Sequence, residues 1–439
     1  MGTDTGAAGT SAAGTNAGDG TGSGGGRTGV WLIGARGSVA TTVVAGCAAL
    51  AAGLHEPTGM ITETAAFAGV PLPPLASLVF GGHDITSCPL PKRAEQLAAG
   101  GVLPHGLPRS VQAELAAADA EIRPGGPMPG DTRDDDALVA AFATDLRTFR
   151  RTHALDRVIV INVASTEALP APVSGQADVG QSDDGQPGSG ESGTGQWGSG
   201  ESGTGRPDPA PSRGQRPPTD HLPTSSLYAL AALRAGCPYV NFTPSTGLHH
   251  PLLRDMARCS GLPYAGRDGK TGQTLLRSVL APMMAQRALT VRAWSGTNLL
   301  GGGDGAALAD PAAAAAKEAG KAAVLRDTLG ELPPGDLHID NVPALGDWKT
   351  AWDHIAVDGF LGSRVILQTI WQGCDSALAA PLVLDLARLV AAAHAAGLSG
   401  PLPGLGFYFK DPDGGPAALA DQYTALTTTF AARLREAQA

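Results

Sequence analysis

The chain has 439 residues, more than one small core requires, and reads as two folded units once its low-complexity tracts are set aside. Its 31 basic and 41 acidic side chains leave a formal charge of −10 with no basic stripe, which argues against a nucleic-acid surface. Cys47, Cys88, Cys237, Cys259 and Cys374 are scattered without CxxC spacing, so they read as reduced thiols of a cytoplasmic protein, with neither a disulfide frame nor a metal expected.

Residues 1–27 are mostly Gly, Thr, Ala and Ser and have almost nothing to bury; they read as a disordered tail with no signal-peptide pattern. Order begins at Gly29–Ile33, an apolar run expected as a buried parallel strand. It enters Gly34-Ala35-Arg36-Gly37-Ser38 and then a helical stretch ending near Gly53. Strand, glycine turn and helix form the arrangement that holds a dinucleotide pyrophosphate against backbone N–H groups. The match is loose, with Arg36 where a second glycine is expected, and a plain strand-to-helix turn fits as well. Glu56 lies at about the offset of a ribose-binding acid. A second apolar run, 75–80, opens into Gly81-Gly82-His83-Asp84. Helical patterns follow at 91–120 and 134–150, then a strand at Arg157–Asn162. The strand-end segment Asn162–Glu167 lies where open α/β sheets bind ligands, although a turn and a helix cap explain it equally.

Between 174 and 216 the composition collapses to Gly, Ser, Asp, Gln and Pro, the mark of a disordered insertion. A helix is expected at 223–236 and a strand at Tyr239–Phe242, ending in the polar loop Asn241–Gly247. The next segment carries the densest signal. Asp268-Gly269-Lys270-Thr271-Gly272-Gln273-Thr274 is rich in small residues and donors and leads into an apolar helix at Leu275–Ala285, as anion binding at a helix start requires. The P-loop order is absent, so nucleoside triphosphate hydrolysis has no support. A strand at Val291–Trp294 opens into the glycine-rich Asn298–Gly305. An alanine-rich helix then carries Lys317 and Lys321, four apart and therefore on one face, either aimed at an anion or simply solvated. Gly346-Asp347-Trp348-Lys349 is placed before a helix at Ala351–Asp358, and Val365–Thr369 reads as a strand. A helix at Ala377–Ala396 is interrupted by Pro381, Asp385 and Arg388, so no bilayer span is expected. A closing strand at Leu405–Phe409 ends at Lys410, and Ala418–Ala437 reads as an amphipathic helix.

In their order and spacing, these motifs resemble the myo-inositol-1-phosphate synthases, NAD-dependent enzymes that cyclise glucose 6-phosphate. The segments that carry the resemblance are Asp268–Thr274, Asn298–Gly305, Lys317–Lys321, Gly346–Lys349 and Asp375–Pro381, with shorter matches at Gly82–Ile85 and Asn162–Glu167. The resemblance implies an α/β fold: a Rossmann-type NAD-binding domain with an inserted α+β catalytic and oligomerisation domain. The expected division is a tail at 1–27, the NAD domain at 28–260, the catalytic domain at 261–385 and a returning segment at 386–439. NAD is the implied cofactor and a small sugar phosphate the implied partner, in a homo-oligomer, usually a tetramer.

Carried over position by position, the resemblance implies that Gly34, Ala35, Arg36, Gly37, Ser38, Asp84 and Asp304 face the cofactor. It places Thr271, Gly272, Gln273, Thr274 and Asn298 on substrate phosphate. Lys317, Lys321, Lys349, Lys410, Asp268 and Asp375 are the implied catalytic groups. Ser38, Val39, Gly302 and Gly303 replace family asparagines, His83 replaces a tryptophan, and Cys374 replaces a glutamate. Loss of amides beside the sugar keeps two alternatives in view: a paralogue acting on another hexose phosphate, such as fructose 6-phosphate, and a non-catalytic nucleotide sensor.

Overall fold

A computed structural model describes residues 26–128, 131–167, 221–302, 325–326 and 328–437. The expectations placed on residues 1–25, on the 174–216 insertion and on Gly303, Asp304, Lys317 and Lys321 lie outside the described residues. Six strands, β1 (Thr28–Ile33), β2 (Leu78–Asp84), β3 (Ile122–Pro124), β4 (Arg157–Asn162), β5 (Tyr239–Asn241) and β6 (Pro263–Gly266), pair in parallel in the order β3-β2-β1-β4-β5-β6. The chain's direction of travel across this sheet reverses between β1 and β4, which opens a crevice at the strand C-termini.

Period-2 alternation explains the layers. Val30 and Leu32 of β1, with Ile159 and Ile161 of β4, face one core; Trp31, Ile33, Val158 and Val160 face the other. The first core is covered by α1 (Ser38–Ala51), α2 (Leu90–Ala99), the short α3 (Leu107–Ser110) and α4 (Gln112–Ala120). The second is covered by α5 (Asp135–Thr152), α6 (Thr224–Arg234) and α7 (Pro251–Cys259). Each fully buried aliphatic side chain in these layers contributes roughly 1.5–3 kcal/mol. Helix α5 starts where the Asp134 carboxylate accepts the Ala137 N–H at 2.7 Å. Asp135 and Asp136 in its first turn and Arg150 and Arg151 in its last complement the helix dipole.

Helix α8 (Gly272–Gln286) leads into a four-stranded sheet made of β7 (Thr290–Leu300), β8 (Leu337–Asn341), β9 (Trp348–Asp358) and β10 (Arg364–Cys374), in the order β10-β9-β7-β8. One face of this sheet packs on α8 through Ala281, Met284, Trp294, Ile355 and Val357. The expected helix at Ala351–Asp358 is therefore a strand. Its buried positions alternate as Lys349, Ala351, Asp353, Ile355 and Val357, and two charged residues in the buried set hide the period from an apolar reading. Strand β7 also runs past Trp294, so Asn298 is a buried strand residue and not part of a loop.

Helix α9 (Asp375–Ala395) returns to pack on α1. By length and composition it is long and apolar enough to cross a bilayer, but most of its surface is covered by protein. Its buried Asp385 accepts hydrogen bonds from the Ile61 and Thr62 N–H groups, the Thr62 hydroxyl and Tyr408 Oη. Strand β11 (Gly400–Pro401) joins the outer edge of β6. The expected closing strand at Leu405–Phe409 is a 3-10 turn over Pro403–Tyr408, and only Phe409 makes an isolated bridge, to Gly269. Strand β6 belongs to the seven-stranded sheet, and α9 packs on it.

Candidate active site

A cleft opens at the C-terminal ends of β4, β5 and β6, beside the reversal in strand order, where open α/β sheets collect ligands. Its walls come from the two strand-end loops singled out in the sequence, through Thr166 and Thr243, and from Asp268, Thr271, Gln273, Thr274, Lys349, Asp375 and Lys410.

Two lysine–aspartate pairs dominate its chemistry. Lys410 Nζ donates to Asp268 Oδ1 at 2.7 Å, and both side chains are buried. Lys349 Nζ donates to Asp375 Oδ2 at 2.8 Å, with the lysine buried and the aspartate partly open to the cleft. The first pair is set by backbone straps: Asp268 N–H donates to Thr243 O at 3.1 Å, and Lys410 N–H donates to Asp268 O at 2.7 Å. Asp268 has φ +62°, a left-handed conformation that aspartate tolerates better than most residues. The second pair joins the start of β9 to the first turn of α9. Ammonium groups held in a water-poor cleft suit the stabilisation of developing oxygen charge, and their carboxylates suit proton transfer.

Helix α8 begins at the cleft. Thr271 precedes it without a side-chain cap, so the first-turn N–H groups of Gly272, Gln273 and Thr274 are placed for an anion. Gly272 has φ +54°, and an added Cβ would stand 3.2 Å from Asp375 Oδ1. Gln273 is held from behind. Its Nε2 donates to Asp353 Oδ2 at 2.8 Å and its Oε1 accepts from Asn298 Nδ2 at 3.0 Å. Asp353 also accepts from Arg277 at 2.8 Å and Trp294 at 2.8 Å, forming a buried ion pair under the helix start. Asn298 is thus a support for Gln273 and does not line the cleft; its Oδ1 is buried without a partner.

Beside this cleft lies the glycine turn. Gly34 has φ +83°, and a Cβ there would meet Ala164 Cα at 2.7 Å, so only glycine permits the close packing of the β1 and β4 loops. The Gly34 and Ala35 N–H groups donate to His83 O, and Gly37 precedes α1 with no side-chain cap. A bare helix start behind a glycine turn fits a dinucleotide pyrophosphate. Asp84, at the end of β2, accepts the Arg36 N–H at 2.6 Å and the Thr86 N–H at 2.7 Å. The Arg36 guanidinium turns to Asp119 at 2.9 Å. Glu56 is exposed in the connection after α1, so it does not hold the ribose-acid position; the end of β2 carries Asp84 instead.

His83 is fold support. Its Nδ1 accepts the Trp31 indole N–H at 2.9 Å, which leaves the proton on Nε2 facing Asp145 at 3.0 Å, and burial lowers its pKa toward the neutral ring. Several groups escaped the sequence reading: the Asp353–Arg277–Trp294 cluster, Arg93, and Lys270. Lys270 sits inside the quoted motif, yet its ammonium donates to Gln422, and burial brings its pKa down to about 8. Alternation in β9 was the signal that could have found Asp353.

Comparison with known proteins places this geometry. Two family models, both described as myo-inositol-1-phosphate synthase, match residues 28–181 and 272–376, the first of them an NAD-binding model. An inositol-3-phosphate synthase 1 of Bacteroides thetaiotaomicron is 30% identical over 424 residues, covering 88% of this chain and 90% of that protein. An inositol-3-phosphate synthase of Trypanosoma brucei brucei is 29% identical over 417 residues, covering 84% and 73%. Among solved structures, the inositol-3-phosphate synthase of Caenorhabditis elegans superposes with a TM-score of 0.74 at 20% identity, covering 93% of this chain and 86% of that one. A myo-inositol-1-phosphate synthase-related protein from Thermotoga maritima gives 0.67 at 21% identity, covering 92% and 98%.

Proposed function

The chain belongs to the myo-inositol-1-phosphate synthase family, and from that premise we propose that it cyclises D-glucose 6-phosphate to 1D-myo-inositol 3-phosphate with NAD. The observation that carries the reading is the convergence of two buried lysine–aspartate pairs and an uncapped helix start on one cleft beside a dinucleotide-type turn. Bound NAD supplies oxidation of one sugar carbinol and later its reduction, so the overall reaction is redox-neutral.

The residues of the chain do the rest. The N–H groups of Gly272, Gln273 and Thr274 hold the substrate phosphate, and the Asp353 cluster fixes the helix that presents them. Lys349 and Lys410 oppose the negative charge that develops on carbonyl and enolate oxygens, and their ammonium groups are pre-oriented by Asp375 and Asp268. The Asp268 and Asp375 carboxylates line the same cleft and are placed to take and return the proton of enolisation. Asp304, Lys317 and Lys321 belong to the same proposal through the family resemblance alone.

A homo-oligomer accompanies this reading, supported by the face of the small sheet that the described residues leave uncovered, where Trp352 and Ile370 stand opposite each other and exposed. All five cysteines are free thiols, in keeping with a cytoplasmic setting. The test is to offer glucose 6-phosphate and fructose 6-phosphate separately with NAD and to identify products by NMR and mass spectrometry. Inositol phosphate formed from glucose 6-phosphate without net NADH accumulation is expected. Turnover of fructose 6-phosphate alone would reassign the substrate, and no turnover with NAD bound would favour a sensor.

A further inference from the structure

The hydroxyl of Ser38, the first residue of α1, lies in a hydrogen-bond chain that the reading above leaves unused. Arg93, on α2, donates to Ser38 Oγ at 2.7 Å, and Ser38 Oγ donates to Asp347 Oδ1 at 2.5 Å. The Arg93 guanidinium also stands 3.5 Å from that carboxylate. Arg93 and Asp347 are 26% and 22% exposed, so both can be reached by a ligand. Asp347 comes from outside the NAD-binding region, just before β9, and the next residue anchors it there: Trp348 Nε1 donates to Gly100 O at 2.8 Å.

A guanidinium and a hydroxyl directed at one carboxylate, at the first residue of a helix that has no side-chain cap, make a donor set for an anion. The same helix start follows the Gly34–Gly37 turn, which seats the cofactor pyrophosphate. Two anions cannot share so short a donor set without repulsion, and the phosphate offers more charge and more acceptor oxygens than the carboxylate.

We propose that Arg93 is a cofactor-phosphate-binding residue contributed by α2, and that Asp347 is an intramolecular anion competing with that phosphate for Arg93 and Ser38. This rests on NAD being the cofactor. A purely structural Arg93–Asp347 pair predicts something different: a partly exposed ion pair contributes little to stability, and its loss would not distinguish ligands by their phosphates.

The experiment uses the full chain and the variants Arg93→Gln, Arg93→Lys and Asp347→Asn. Dissociation constants for NAD and ADP-ribose are measured by calorimetry, and adenosine, which lacks phosphate, by saturation-transfer NMR. Arg93→Gln is expected to weaken NAD and ADP-ribose by about tenfold or more and to leave adenosine unchanged. Arg93→Lys, which keeps the charge, should fall between, and it serves as the comparison should Arg93→Gln fold poorly. Asp347→Asn should tighten both pyrophosphate ligands severalfold. Wild-type NAD affinity in Arg93→Gln, or equal loss of adenosine, overturns the role of Arg93. Weaker NAD binding in Asp347→Asn overturns the competition. A wild-type chain that binds neither NAD nor ADP-ribose overturns the cofactor reading itself, which keeps the two failures distinct.

Discussion

Lys410 and Asp268 are two halves of one buried pair, and removing either strands the other. Lys410→Met should abolish cyclisation and cost about 3–5 kcal/mol of stability, because the Asp268 carboxylate stays buried without its cation. Lys410→Met combined with Asp268→Leu should recover much of the stability and none of the activity, as read by denaturant melts and product NMR. Equal stability of the single and double variants would mean that the pair is solvated. Asp385 provides a pH signature. Burial raises its pKa to about 6, above the ~3.9 of an unfolded aspartate, so the native state binds the extra proton between those values. Its stabilising contribution is full below pH ~4 and lost as pH rises through about 6. Compared with Asp385→Asn, which cannot ionise there, the wild type should lose on the order of 3 kcal/mol at most over that window; a constant gap from pH 4 to 7 would refute it. At this scale the sequence showed residue types well and partners poorly. Lys349 and Lys410 stood in motifs, but nothing in the order of residues says that Lys270 turns to Gln422 or that Asn298 serves Gln273, since both contacts close across distant segments.

Among the elements, the start of α8 carries the sharpest expectation. Gly272 has a positive φ and an added Cβ would stand 3.2 Å from Asp375 Oδ1, while both ends of the Gln273 side-chain amide are hydrogen-bonded, to Asp353 and to Asn298. On the proposed reading the phosphate is met by main-chain N–H groups, whose direction depends on that turn, with Thr271 and Thr274 beside them. Gly272→Ala should raise KM for the sugar phosphate by about tenfold, reflecting roughly 1 kcal/mol of backbone strain plus lost alignment, with NAD affinity unchanged. Parallel loss of NAD binding would show that the turn supports the cofactor side instead. In the large sheet β1, β4 and β5, with helices α1, α5 and α6, were legible because their apolar runs are clear, as in Arg157–Asn162, whereas the short β3 and β6 and the polar α7 were not. Strand β9 was not. Its inward residues include Lys349 and Asp353, which are there for the cleft and the Arg277 pair, so function overwrote the pattern that identifies a strand. The 3-10 turn before Lys410 was misread for the opposite reason: Leu405, Tyr408 and Phe409 are buried, and a short apolar run alone does not distinguish a strand from a tight turn.

At the scale of the molecule, the described residues cover the small sheet on one side only. The residues of β9 and β10 that pair across the other side are Ala356 with Ile366, His354 with Gln368, and Trp352 with Ile370. Ile366 is 47% exposed and Ile370 71%, and the turn between the strands adds Phe360 and Leu361 in the open. In the sequence these residues look like core, because burial by a second copy and burial by the same chain demand the same amino acids. Exposed large apolar residues grouped on one face normally meet a partner, and a self-complementary patch about a twofold axis is the commonest solution. The opposite faces of the same strands carry Lys349 and Asp353, so a face left wet would also loosen the cleft. Ile370→Glu should therefore lower the mass measured by light scattering at micromolar concentration and reduce cyclisation at the same time. NAD binding, set by the large sheet, should persist. A wild-type chain that is monomeric under those conditions would remove the premise. An Ile370→Glu variant with unchanged mass and full activity would move the interface to another surface, leaving the exposed sheet without a role in assembly.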